Sequence, residues 1–79
     1  MEDHDFGWAL KKLLDGCLVQ RSGWNGKGMW VRIRQPSAGS DMTAPYIYMR
    51  TARAELVPWV ASQADILSHD WEVFRPEES

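Results

Sequence analysis

Apolar residues recur at three- and four-residue spacing near the start of the chain, where Phe6, Ala9, Leu10, Leu13 and Leu14 fall on one face of a helix. Asp5 stands just before them, and a carboxylate there caps the open N–H groups of a first helical turn. Gly16, after Asp15, is a natural helix stop. Trp8 lies on the opposite face with Lys11, Lys12 and Asp15, which is off-pattern for a core residue. The period then drops to two. Leu18 and Gln20 alternate against Val19 and Arg21 in a short strand over 17–21. From Met29 to about Gln35 the alternation is clean, with Met29, Val31 and Ile33 on one side and Trp30, Arg32 and Arg34 on the other. A third strand over 46–51 sets Ile47 and Met49 against Tyr46, Tyr48 and Arg50.

The intervening 36–45 stretch is rich in Ser, Gly and Pro and reads as loop. Glu55-Leu56-Val57 predicts a short strand that Pro58 closes or leaves at an edge. Ser62-Gln63-Ala64-Asp65 resembles a capping box with Asp in place of Glu, which predicts a helix from Ser62 to about His69 carrying Ile66 and Leu67 inward. Trp71 to Phe74 reads as a last strand and 75–79 as a polar tail. The expected fold is α+β: a single domain with an antiparallel sheet of four to five strands and two short helices. Its expected core is Leu10, Leu13, Val31, Ile33, Met49, Ile66, Leu67 and Trp71.

Composition changes this picture in one respect. A 79-residue chain buries a thin core, and domains of this size often need a supplement. Cys17 is the single cysteine, which excludes an internal disulfide, and His4 and His69 stand apart, which argues against structural zinc. Oligomerisation is left as the supplement. Five tryptophans are more than one thin core absorbs, so some belong at an interface or against a ligand.

Charge narrows the partners. A net charge of −2 is opposite to the basic excess of a nucleic-acid binder. No apolar run is long enough for a membrane span. The acidic start, Met1 to Asp5, is the reverse of a signal peptide and, with the free cysteine, predicts a cytoplasmic protein.

Catalytic candidates are few. His4 and His69 read as surface histidines and Cys17 as an inert thiol opening an apolar strand. Asp65 and Asp70 are spaced so that they do not converge as an acid–base pair on one helix. The glycine-rich segment Gly23 to Gly28 has two readings. One is a hairpin turn that needs positive φ at Asn25 or Gly26. The other is a loop whose backbone N–H groups and Lys27 meet an anion, although it lacks the spacing of a nucleotide-hydrolysing P-loop. Spacing alone favours the turn. Trp24 shifts the balance, because an indole there has no core to enter unless the loop folds back, and it suits stacking on a flat base. Ser62 to Asp65 is either an ordinary cap or a phosphate- and ribose-gripping helix start. The face of Trp30, Arg32, Arg34, Tyr46, Tyr48 and Arg50 has the make-up of a subunit interface or of a single-stranded nucleic-acid platform, and the acidic net charge favours the interface.

Phe6-Gly7-Trp8-Ala9-Leu10, Gly23-Trp24-Asn25-Gly26-Lys27-Gly28-Met29, Val57 to Gln63 running on to Asp65-Ile66-Leu67, and Asp70-Trp71-Glu72-Val73 occur in order. Together they resemble the second family of phage Thoeris anti-defence proteins, over nearly the whole chain. The resemblance implies a non-catalytic sponge that holds cyclic ADP-ribose-type signals made by Thoeris TIR proteins, and in some relatives cyclic oligonucleotides. It also implies no cofactor or metal, and self-association as a dimer or tetramer with ligand between subunits. By position, Trp24, Asn25, Lys27, Met29, Ser62, Gln63 and Asp65 would line the pocket. The 36–45 loop is shorter than the insertion many relatives carry there. The competing reading is a protein-interaction module that uses the Trp/Arg/Tyr sheet face.

Overall fold

A computed structural model describes residues 3–76. Helix α1 spans Phe6–Leu14. At its start the Asp5 carboxylate accepts the Trp8 backbone N–H at 2.9 Å. At its end Gly16 adopts φ +90°, which glycine reaches without strain. The backbone N–H of Gly16 then reaches the Leu13 carbonyl and that of Cys17 the Lys12 carbonyl, each at 3.0 Å. This is the two-bond closure that satisfies the last orphan carbonyls of a helix.

Five strands follow: β1 (Val19–Arg21), β2 (Trp30–Arg34), β3 (Tyr46–Arg50), β4 (Leu56–Pro58) and β5 (Trp71–Val73), with a one-turn helix α2 (Gln63–Ile66) before β5. They form one antiparallel sheet in the order β4-β3-β2-β1-β5. β5, last in the chain, pairs with β1, setting Val19 opposite Val73 and Arg21 opposite Trp71. The N-terminal segment is tied to β5 as well, since His4 Nδ1–H donates to the Trp71 carbonyl at 2.9 Å.

Strand alternation sends Val19, Val31 and Trp71 to one face, where they meet Ala9 and Leu13 of α1 in a core of fully buried side chains. Ile33, Ile47, Met49, Phe6, Trp59 and Trp24 pack around it. Leu13, Val31 and Trp71 are buried as expected from the sequence, and Ile33 and Met49 are half-buried against the core. Leu10, Ile66 and Leu67 correct that expectation, because they are 39 %, 47 % and 72 % exposed. A nine-residue helix presents one narrow line, Ala9 and Leu13, to the sheet, so Leu10 falls at its margin. The single turn of α2 turns Asp65 inward instead of its apolar residues.

Both helices lie on the Trp71 side of the sheet. The other side carries Trp30, Arg32, Arg34, Tyr46, Tyr48 and Arg50, as the alternation predicts, with Arg32 opposite Tyr48 and Arg34 opposite Tyr46. Trp30 meets Tyr48 edge-on at 5.9 Å between ring centres. Gln20 and Glu72 hydrogen-bond on the same side. Trp8, which the sequence pattern sets apart from the apolar face of α1, is half-buried against the core and stacks on the His4 ring at 3.9 Å with Lys12 above it.

Candidate functional site

The β1–β2 connection, residues 22–29, carries Trp24, Asn25, Lys27 and Met29, and the start of α2 carries Ser62, Gln63 and Asp65. Folding brings one member of the first group onto the second. The Trp24 indole N–H donates to Asp65 Oδ1 at 3.2 Å. The loop folds back far enough for the Trp24 ring to pack edge-on against Trp71 at 5.4 Å and Trp59 at 6.4 Å. Trp24 is therefore half-buried on the core, the case the sequence left open for a loop that folds back.

The Asn-Gly turn is also corrected. Positive φ falls at Gly28, +75°, and not at Asn25 or Gly26, so the connection is a longer loop and no two-residue turn. Gly26 sits in a close approach, since a Cβ there would lie 2.5 Å from Met29 Sδ and 2.8 Å from the Ala52 Cβ. Gly28 is pinned by Arg50, whose Nη1 donates to its carbonyl at 2.8 Å. Met29 is half-buried beneath the loop, while Asn25 and Lys27 are exposed. Among the described residues no hydrogen bond or ion pair joins these three to α2.

At α2 the capping box forms as the sequence predicts. Asp65 N–H donates to Ser62 Oγ at 3.1 Å, and Ser62 N–H donates to Asp65 Oδ2 at 3.2 Å. Asp65 is 8 % exposed and does more than cap. Its Oδ1 accepts from Trp24 and from Arg21 Nη1 at 2.8 Å, and its carbonyl accepts the Trp71 indole N–H at 3.1 Å. Ser62 and Gln63 are exposed, and they are the polar groups that this end of α2 presents outward.

Two residues absent from the sequence-derived site complete it. Arg21 also donates through Nε to Asp70 Oδ1 at 2.8 Å, and Asp70 Oδ2 accepts the Gly23 backbone N–H at 2.9 Å. A signal for Arg21 was present: it occupies the same strand face as Val19, where an unpaired charge is costly. Burial works against ionisation of Asp65, but hydrogen bonds from Arg21, Ser62 and Trp24 outweigh it and hold its carboxyl below the usual carboxylate range. The Arg21 hydrogen bond lowers Asp70 in the same way. Both carboxylates are thus anions at neutral pH, suited to anchoring donors and not to exchanging protons with a substrate.

One groove of the single chain, about 670 Å³, opens on the helix-free face of the sheet beside Trp30, Arg50 and Glu72, and none of the seven ligand candidates lines it. Of the candidates, Asn25, Lys27, Ser62 and Gln63 face outward, Trp24 and Met29 are half-buried and Asp65 is buried.

The sequence profile of the Thoeris anti-defense 2-like domain matches residues 4–74. A curated relative, "Thoeris anti-defense 2" of Bacillus phage SP01, is 36 % identical over 81 residues, covering 86 % of this chain and 91 % of the relative. The match runs from the residue that ties the N-terminus to β5 through the end of the sheet, and takes in both halves of the candidate site. On these grounds the chain belongs to the Thoeris anti-defense 2-like family.

Proposed function

We propose that this protein binds and sequesters a nucleotide-derived defence signal of the cyclic ADP-ribose type, releasing it unchanged, in the service of phage anti-defence. Membership of the anti-defence family supports the biological role. The observation that carries the chemistry is the Trp24–Asp65 contact, which joins an aromatic ring suited to a base with the exposed Ser62 and Gln63 at a helix start. Lys27 on the same loop supplies a cation for a phosphate. Asp65 and Asp70, held as anions by Arg21, are placed to organise a site and not to act as acid and base. A sponge needs tight binding and slow release and has no use for groups complementary to a transition state.

The test is recovery of the ligand. The protein is mixed with a cyclic ADP-ribose isomer from a Thoeris TIR reaction until free ligand disappears, then heat-denatured, and the released molecules are analysed by mass spectrometry. Intact ligand is the expected result. A linear or hydrolysed product would mean that the protein is an enzyme.

Self-association belongs to the same proposal. Leu14, Leu56, Val60 and Leu67 are each more than 60 % exposed, and fully buried side chains are few. Val60, Ile66 and Leu67 flank the polar start of α2, so a second copy covering them would also wall the site. Such a pocket is concave only in the assembly, in keeping with the outward-facing arrangement in one chain. Multi-angle light scattering at micromolar concentration should give a mass of at least a dimer, and a monomer mass would remove this part of the proposal. No helix of the described residues is long and apolar enough to cross a membrane, and we place the action of the protein in the host cytoplasm.

The helix-free face with Trp30, Arg32 and Tyr48 keeps a second reading in view, a module that docks on a host or phage protein. Co-elution of the nucleotide through size exclusion separates the two, since a pure docking module would elute empty.

A further inference from the structure

The loop that carries Trp24 and the helix start that carries Ser62 are far apart in sequence, and one side chain stands between them. Arg21, whose side chain is 19 % exposed, spreads its guanidinium so that Nη1 meets Asp65 and Nε meets Asp70, both at 2.8 Å. Each carboxylate then holds a different part of the site. Asp70 Oδ2 accepts the Gly23 backbone N–H at 2.9 Å, fixing the residue before Trp24. Asp65 accepts the Trp24 indole N–H with one oxygen and the Ser62 N–H with the other. One anion thereby holds the backbone of Gly23, next to Trp24, the other holds the Trp24 ring, and the same cation holds both anions. Gly23 belongs to this arrangement, since a Cβ there would lie 2.8 Å from Asp70 Oδ2 and 3.3 Å from Arg21 Nη2. Lysine is no substitute, because one ammonium on a flexible stem lacks the planar fork that grips two carboxylates in fixed directions.

We propose that Arg21 is a positioning residue for ligand binding: through Asp65 and Asp70 it fixes the Trp24 ring relative to the Ser62–Gln63 end of α2 before ligand arrives. This rests on the proposed ligand site. A ring already held in its bound orientation loses little entropy on binding, so the fork acts on affinity chiefly by slowing release.

Arg21→Lys tests the fork directly but leaves Asp65 poorly paired in a buried place and endangers the fold. Asp70→Asn is the safer variant, because the Asp70 side chain is 31 % exposed. Its amide has one acceptor oxygen, which satisfies either Arg21 or Gly23, and turns an N–H₂ toward the other donor. The experiment is titration calorimetry with a cyclic ADP-ribose isomer, at a temperature where circular dichroism shows every variant folded, on the wild type, Asp70→Asn, Trp24→Ala and the double variant. Expected are about a tenfold weaker affinity for Asp70→Asn, carried by faster release, and no further loss when Asp70→Asn is added to Trp24→Ala, because a residue acting through Trp24 has nothing left to position.

Wild-type affinity in Asp70→Asn, with Trp24→Ala impaired, overturns the positioning role and leaves the ligand site standing. An equal loss in both backgrounds overturns it too, since Asp70 would then act without Trp24. Wild-type affinity in Trp24→Ala, or no binding by the wild type, overturns the ligand site and the positioning role with it.

Discussion

Trp71→Ala is expected to lower the melting temperature by at least about 12 °C and to broaden or abolish the cooperative transition. Truncation of a buried Trp costs about 3–5 kcal/mol, and in a domain this small each kcal/mol is worth roughly 4–8 °C. Total stability is about 5–15 kcal/mol for native proteins in general, and a thin core sits toward the low end. Trp71 is 1 % exposed and its ring meets Phe6 at 5.6 Å, Trp24 at 5.4 Å and Trp59 at 6.1 Å. Its indole N–H also donates to the Asp65 carbonyl, so the variant loses a buried hydrogen bond as well as leaving a cavity. Trp71 thus joins the sheet, the α1 side and the start of α2. Thermal melts followed by far-ultraviolet circular dichroism decide the matter. A sharp transition within a few degrees of wild type would show that the rings around Trp71 close over its absence and that the core is centred elsewhere.

Trp24→Ala is expected to weaken binding of a cyclic ADP-ribose isomer about ten- to hundredfold. A base stacked on an aromatic ring is worth about 1–3 kcal/mol by alanine substitution, and each 1.4 kcal/mol is tenfold in affinity. The packing of Trp24 on Trp59 and Trp71 means that the variant also loses stability, so affinity is compared at a temperature where both proteins are folded. Trp24→Phe separates the two contributions of the indole. It keeps a flat ring and loses the N–H to Asp65, so its affinity should fall between wild type and Trp24→Ala. Calorimetric titration of the three proteins checks the order. Equal affinities would place the base away from Trp24 and return the loop to a purely structural role.

Much of the fold is legible in the sequence because much of it is local. The α1 caps at Asp5 and Gly16 and the Ser62–Asp65 capping box involve partners within a turn or two along the chain, where residue type and spacing carry the whole instruction. The period-two strands β2 and β3 fall within a residue of their predicted ends because alternating side chains already state which face is apolar. The order of phrases such as Gly23 to Met29 and Val57 to Gln63 was enough to suggest the family that the profile match supports.

What the periodicity does not contain is the meeting of β1 with β5, and most of the candidate site follows from that meeting. Arg21 is 49 residues from Asp70 and 44 from Asp65, and no local rule ties those three together. Once β5 pairs beside β1, Arg21 lies opposite Trp71, and the adjacent Asp70 and the preceding α2 come within reach of its guanidinium. The same meeting draws Trp24 onto Trp71 and turns Asp65 inward, leaving Ile66 and Leu67 outside. Hydrophobicity alone ranks Ile66 and Leu67 for the core and Asp65 for the surface. The ranking reverses because a buried carboxylate with donors from Arg21, Trp24 and Ser62 is satisfied, and a single helical turn has room to bury only one side. Sequence therefore determined the elements and the ends of α1, β2 and β3, while tertiary structure cut the expected 62–69 helix to one turn and the 17–21 strand to Val19–Arg21, and the pairing of distant strands decided which charges are buried, where Trp24 rests and how the candidate site is held together.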